Sequence, residues 1–518
     1  MESVTVGENA ETLGLGDIAA SIMPGRIVEK QSLAVDVTSG ATITSFAILR
    51  AAEEALKQAG GDMEVLKKKA PETPLSKGKA ETVDVVIVGG GLAGIMAAYD
   101  LEAKNPEVSY LVLEQMDIIL GSLPMAGGAI IAPKSKLHTA NGMESSIDDI
   151  ITLMEVASGG PVRNDYIRNI YANAEEILDR LIDWGAPLDN PTLSREASSD
   201  KVYAFWAVGR GAGFAKFLNE HVKNNPINLR LRSKVTELVV ENGKVVGVKV
   251  QDDEKEYEVR AKAVLLATGG FGMNQELVAK YSPLYKGGVS RTNAGATGDG
   301  FYLVEQFGTE VVGHGMMGGG PRASLDTGSL ASMFAVSQEG KRFANESDNF
   351  SIVEGLGGGK LKGFRLADAN FSDQAAIQDR LAKGLIKQYD SLEELAKDNS
   401  IDAANLLATV EAYNKAVDAG ESPGFGLPVE RAQKIETAPF YVERIIVSWF
   451  GTVPGIRVDD NMRVLDGSGV PVPGLYAAGE LTEGNMWAGN IYPGSGVGIS
   501  YATYTGPYAV RCIVDDIK

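Results

Sequence analysis

The sequence predicts an α/β chain. A Rossmann-like nucleotide-binding domain over 81–313 and 451–518 is interrupted by an α+β capping domain over 314–450. A small unit (1–60) and a polar linker (61–80) precede it. Three observations predict this. Residues 83–88 are a short apolar run followed at once by Gly89-Gly90-Gly91-Leu92-Ala93-Gly94 and an apolar-patterned helix. Apolar runs of the same kind return at 263–267 and 474–478. Between them the chain changes character, with a glycine- and methionine-rich run near 316–320 and helical patterns at 372–397 and 402–418.

The first stretch carries the most. Gly89, Gly91 and Gly94 fit a dinucleotide fingerprint: one glycine for the tight turn, one for backbone approach to a pyrophosphate, one for helix–strand packing. The helix N-terminus then presents unpaired N–H groups to phosphate. A second strand, 110–113, ends in Glu114, where a ribose-binding carboxylate is expected. The alternative is a glycine turn that binds nothing.

Composition excludes several classes. An apolar share of 44% and a charged share of 23% are ordinary for a globular protein. A net charge of -19 argues against nucleic acid or an anionic membrane as partner. Cys512 is the only cysteine, so intrachain disulfides, cysteine-held iron–sulfur clusters and zinc–cysteine sites are out. His138, His221 and His314 have no metal-like spacing, and no metal is expected. No apolar stretch reaches the ~18 residues a membrane span needs. Met1-Glu2-Ser3-Val4 lacks the features of a secretory signal, which points to the cytoplasm; a processed chain from the periplasm or cell surface would look the same.

In the N-terminal unit, 36–45 is a Ser/Thr-rich loop ahead of a helix expected over 46–59. Such a loop is an anion seat, or simply an N-cap of Ser and Thr. Further on, 121–129 is dense in glycine and alanine, which lets backbone lie against a flat ligand or form an ordinary tight loop. Helices are expected at 147–156, 165–184 and 213–222, and at 301–307 after Ala296-Thr297-Gly298-Asp299-Gly300. The Asn242-Gly243 turn between β-rich runs marks a hairpin over 234–250.

Two resemblances follow from these motifs. Asp36-x-x-Ser39-Gly40-Ala41-Thr42, with Glu11 to Gly16 upstream, resembles the covalent FMN-binding domain. That likeness implies FMN attached through a phosphodiester to Thr42. The family domain has several more strands ahead of this point, which implies a partial domain here. The second set is Gly89-x-Gly91-x-x-Gly94, Glu114, Ala267-Thr268-Gly269-Gly270, the 296–300 motif and Gly474 to Glu480. In that order it resembles the fumarate reductase/succinate dehydrogenase flavoprotein superfamily. The likeness implies FAD contacts at Gly89, Gly91, Gly94, Glu114, Gly127, Gly128, Val235, Thr268, Gly269, Asp299, Glu480, Ser495 and Val497. Some members attach FAD through a histidine in the segment matching 121–128. None stands there, so FAD is expected to be non-covalent.

The combination resembles bacterial fumarate, urocanate and acrylate-type reductases, in which hydride passes from FAD to a conjugated double bond and an arginine supplies the proton. Gly340-Lys341-Arg342-Phe343-Ala344-Asn345-Glu346 makes Arg342 the matching arginine, as acid or as structural cation. The histidine and arginine that clamp a carboxylate in fumarate reductases are absent from 450–455 and 491–496. Tyr492-Pro493-Gly494-Ser495-Gly496 is instead similar to a segment of 3-ketosteroid Δ1-dehydrogenases that binds the substrate carbonyl, which implies that role for Tyr492 and the Gly496 N–H. A tyrosine packed under the flavin is the plainer alternative. Phe350 stands where those dehydrogenases have a tyrosine base. The expectation is therefore an ene-reductase for a neutral enone, a 3-ketosteroid being one candidate. Electrons would reach FAD through FMN from a reduced flavin or an NAD(P)H-linked reductase. A ketosteroid-type dehydrogenase, a fumarate- or urocanate-like carboxylate reductase and a flavin electron-transfer subunit are the rivals.

Overall fold

The structure is a computed structural model; it describes residues 1–518 apart from 8, 10, 12–15, 39–40, 69–74, 194–199, 319–332 and 490–491, and apart from the side chains of 18, 42, 43 and 190–193. It divides into two units. The first comprises Met1–Asn274, Thr292–His314 and Gly451–Lys518. The second comprises Gln275–Arg291 and Gly315–Phe450.

The first unit opens with helices α1 (Gly16–Lys30) and α2 (Thr42–Gln58), which bury Ala19, Met23, Ile27 and Ile48 between them. Helix α2 starts at Thr42, four residues ahead of the helix expected over 46–59. Its N-cap is Ala41 with no side-chain cap, so the Ser/Thr run enters the first turn instead of capping it.

Strand β1 (Val85–Val88), helix α3 (Leu92–Lys104) and strand β2 (Tyr110–Leu113) form the fingerprint unit. All eight strand residues are buried, as expected of a parallel sheet with both faces covered. Full burial of each Val, Leu or Ile contributes about 1.5–3 kcal/mol. Next come β3 (Leu229–Arg230), β4 (Lys234–Glu241), β5 (Lys244–Gln251), β6 (Lys255–Arg260) and β7 (Ala263–Leu266). After the second unit the chain returns with β8 (Arg463–Leu465), β9 (Pro471–Ala477) and helix α4 (Val497–Ile517). The main sheet runs β8-β9-β7-β1-β2-β3, parallel except at β8. Val86 pairs with Val264, and Val264 with Leu475, so late strands complete an early sheet.

The expected hairpin is β4–β5, and β6 adds antiparallel to it. The polar stretch 61–80 is more ordered than a linker: Met63–Leu66 is helical and Ser76–Lys77 pairs in parallel with β6. Helix α4 crosses α3 so closely that a Cβ at Gly506 would lie 2.0 Å from the Ala93 carbonyl oxygen. Cys512 is a free thiol on α4.

The second unit holds a four-stranded antiparallel sheet ordered Phe334–Ser337, Gly363–Ala367, Phe440–Arg444, Lys387–Tyr389. Helices Leu392–Asp398 and Ala403–Asp418 cover a core of Phe334, Leu366, Leu395, Leu406, Val410 and Val442. The helical pattern at 372–397 is broken. Helix Gln374–Ala382 stops, Gly384 turns with φ +68°, and Lys387–Tyr389 joins the sheet before the next helix. Strand pairing to Phe440–Val442 outweighs helical periodicity there.

Candidate active site

The nucleotide end is built by β1, the glycine turn and α3. Gly89 takes φ +115°, and a Cβ at Gly94 would sit 2.0 Å from the Gly89 oxygen, so the turn and the close approach both require glycine. A Cβ at Gly91 would meet nothing within 4 Å: the backbone there faces open space at the start of α3. Glu114 leaves β2 with Oε2 accepting from Gly90 N–H at 2.7 Å and Oε1 from Met116 N–H at 2.8 Å. Burial pushes its carboxyl up from the ordinary value, while those N–H groups pull the other way. Each oxygen keeps a lone pair for a hydroxyl donor. These residues fit the ribose and pyrophosphate of a dinucleotide.

Further along, Thr268 Oγ1 is buried and has no partner among the described residues, as a group awaiting a ligand would be. Gly269 takes φ +72° with open space beside it. Val235 lies buried on β4 next to Lys234, whose Nζ is 3.0 Å from Asp299 Oδ1. Gly127 and Gly128 pass under Trp206 and Arg210, where a Cβ at Gly128 would clash with backbone at 2.2 Å. The fold thus gathers Val235 with Asp299, and Gly270 with Glu480, whose Oε1 would lie 2.2 Å from a Cβ at 270.

The far end is built by the 3₁₀ turn Gly479–Asn485 and the start of α4. Glu480 Oε1 accepts from Thr452 N–H at 2.7 Å and Thr452 Oγ1 at 2.9 Å. Desolvation pushes the Glu480 carboxyl up, against those donors. Tyr492 Oη accepts from Gly498 N–H at 3.2 Å, and its ring stands at 86° to Trp487 with centroids 5.7 Å apart. Gly496 caps α4 with φ +94°, Val497 is fully buried, and Ser495 is partly exposed. The strand beside them, Ala129–Ile131, is fixed by Ile131 N–H donating to Ser500 Oγ at 2.7 Å and Tyr504 Oη donating to the Ile131 carbonyl at 2.8 Å.

Two expected site residues stand apart from this cluster. Thr42 opens α2, and its side chain lies outside the described residues, as do Ser39 and Gly40. Nearby, Ser45 Oγ accepts from Thr38 N–H at 3.0 Å, and Thr44 Oγ1 donates to Glu11 Oε2 at 2.8 Å. The uncapped first turn of α2 fits a phosphate. Arg342 lies in the second unit. Its Nε and Nη2 donate to the two oxygens of Glu346 at 2.7 and 2.6 Å, Nη1 donates to the Pro423 carbonyl, and Tyr413 and Phe425 stack on it. All three nitrogens are engaged inside that unit, so donating to a substrate requires one of those bonds to be exchanged.

One functional-looking residue escaped the motif reading. Glu483 is 4% exposed, and its Oε1 has no hydrogen-bond partner among the described residues. Burial, then the neighbouring Glu480, pushes its carboxyl up to about 8. The spacing Glu480-x-x-Glu483 was the available signal.

Comparison with known proteins gives a family match for each part of the chain. Residues 84–499 match the FAD binding domain family, and residues 1–57 match the FMN-binding domain. The NADH:acrylate oxidoreductase of Vibrio harveyi is 30% identical, across 97% of this chain and 57% of its own length. This chain therefore spans little more than half of that relative. The urocanate reductase of Eggerthella lenta is 28% identical, across 92% of this chain and 83% of its own length. The open form of a flavocytochrome c3 fumarate reductase shares the fold, with a TM-score of 0.72 at 24% identity over 87% of this chain and 83% of that one. The resemblance read from the motifs, and the fold it implied, are borne out.

Proposed function

This chain belongs to the FAD binding domain family, and from that premise we propose that it reduces a carbon–carbon double bond conjugated to a neutral carbonyl. Gly89, Gly91, Gly94, Glu114, Gly127, Gly128, Val235, Thr268, Gly269, Asp299, Glu480, Ser495 and Val497 would hold FAD non-covalently, and reduced FAD would supply the hydride. Negative charge then develops on the carbonyl oxygen. Tyr492 Oη and the Gly496 N–H stabilise it, acting as an oxyanion-type pair. Arg342 would deliver the proton to the neighbouring carbon once Nη1 exchanges its bond to Pro423 for the substrate, and would regain one from solvent by way of the Glu346 carboxylate, which passes a proton on and is left as it began. Arg342 is only 5% exposed, and exclusion of water is what lets so weak an acid serve.

The observation that carries this reading is Tyr492. Its hydroxyl is held at the head of α4 by Gly498 N–H and flanked by Trp487, where a carboxylate reductase of the resembling families places cations. Burying a carboxylate there without a counter-charge costs several kcal/mol. A carboxylate substrate, which the names of the acrylate and urocanate relatives suggest, is the rival. Anaerobic assay with reduced viologen decides. Cyclohexenone should be reduced much faster than fumarate, and Tyr492→Phe should slow it roughly 10- to 1000-fold with FAD content unchanged. Fumarate turned over as fast as every enone tried would refute the polarity argument.

Thr42 would hold the FMN, which would pass electrons to FAD after receiving them from a reduced flavin or an NAD(P)H-linked reductase. The uncapped start of α2 and the FMN-binding match support this. With a flavin transferase present, intact mass should rise by one FMN, and the rise should vanish in Thr42→Ala. An unmodified wild-type chain from such a host would remove FMN from the scheme.

A further inference from the structure

In a 3₁₀ turn, side chains three apart eclipse one another. Gly479–Asn485 therefore stacks Glu480 and Glu483 on one face. Two neighbouring carboxyls do not both ionise cheaply in a dry site. Glu480 has two donors from Thr452 to stabilise its anion. Glu483 has none of good geometry on Oε1; the buried indole of Trp487 faces it and opposes the upward push on its carboxyl, but less than burial and Glu480 drive it. The other titratable groups facing it are neutral phenols: Tyr171 on helix Asn164–Tyr171 and Tyr501 on α4. Among the described residues no lysine or arginine forms an ion pair with Glu483. Gly498 ties this carboxyl to the candidate site. A Cβ there would lie 3.2 Å from Tyr492 Oη and 3.7 Å from each Glu483 oxygen, so phenol and carboxyl flank one point.

We propose that Glu483 is carried as the neutral acid and is the positioning residue of Tyr492. Together they form an uncharged hydrogen-bonding corner that fits a ketone and, among the described residues of that corner, offers a carboxylate no counter-charge. This rests on the enone reading above. An apolar site holds a carboxylic acid neutral at pH 7 in the same way elsewhere. Above about pH 8 the acid ionises, and its charge opposes the charge developing on the carbonyl oxygen. Gly498 is the residue that leaves room for the pair.

The test compares the FAD-loaded wild type with Glu483→Gln. The infrared difference spectrum at pH 7 should show a protonated-carboxyl C=O band in the wild type, absent from the variant and converting to carboxylate above about pH 8. A carboxylate band lost instead at pH 7 would overturn the proposal. This arm uses no substrate, so it reads Glu483 whichever substrate class the enzyme prefers. In the second arm, kcat/KM for cyclohexenone should fall about tenfold per pH unit above that point in the wild type and stay level in Glu483→Gln. A falling limb that persists in the variant removes the positioning role. Gly498→Ala, which fills the gap and alters neither group, should slow cyclohexenone reduction at least about tenfold. Unchanged turnover there would break the link between the two residues.

Discussion

At the start of α3 a glutamate holds two backbone N–H groups; beside the start of α4 another holds none on one of its oxygens. Glu114 and Glu483 thus show how the same side chain comes to opposite uses within one unit. Both are pushed toward the acid form by burial. Glu483 has only the indole of Trp487 near it, whereas Glu114 has two backbone donors aimed at it, because β2 ends at the turn where Gly90 and Met116 expose their amides. Its anion is ready to accept from a ribose. Glu483 sits on a tight turn above a second acid, and the cheapest way to satisfy that corner is to keep a proton. Supply of donors, more than residue type, sets the role.

The sharpest way to break the contrast is at Glu114. Glu114→Ala should weaken FAD binding about 10- to 100-fold, since a hydrogen bond to a charged group contributes about 1.5–3 kcal/mol and two N–H groups lose their acceptor. Titration of apo-protein with FAD measures it, and an unchanged affinity would remove Glu114 from the site. Glu114→Gln keeps one acceptor and should lose less. The smallest effect is on stability. In the folded protein Glu483 holds its proton to about pH 8, whereas the unfolded chain releases it near 4.5. The native state therefore binds more protons across that window, so this group makes stability fall as pH rises from about 4.5 to 8, then level off. Glu483→Gln should flatten that part of the melting-temperature profile, by at most a few kcal/mol at pH 8. Parallel profiles for the two proteins would place the proton elsewhere.

The nucleotide end was legible because its determinants are local. Gly89, Gly91, Gly94 and Glu114 lie within one strand–turn–helix–strand, and the closest approach in it, Gly94 to the Gly89 oxygen, spans five residues; the Ala267 backbone against Gly89 is the distant part. The β4–β5 hairpin was legible for the same reason, through Asn242-Gly243. Elsewhere, distant partners decided. Residues 387–389 form a strand because Phe440–Val442 offer an edge, which periodicity around 372–397 does not reveal. Ser76–Lys77 is ordered by β6, far along the chain. Glu483 was overlooked since an isolated acid carries no sign of whether donors await it; only the three-residue spacing from Glu480 hinted at the stack.

The order of the main sheet has a consequence for how the protein is made. β7 pairs with β1 on one edge and with β9 on the other, and the whole second unit is synthesised between β7 and β9. While the ribosome works through 315–450, the Val264 edge of a buried apolar strand stays open, an invitation to the wrong strand. The inserted unit has its own sheet and core, and it can settle first. The nascent flavin domain waits for Leu475 and then for α4 to lie across Ala93. Cofactor loading is thereby deferred until β9 and α4 have been made, and a chaperone that shields one strand edge has most to do in that interval.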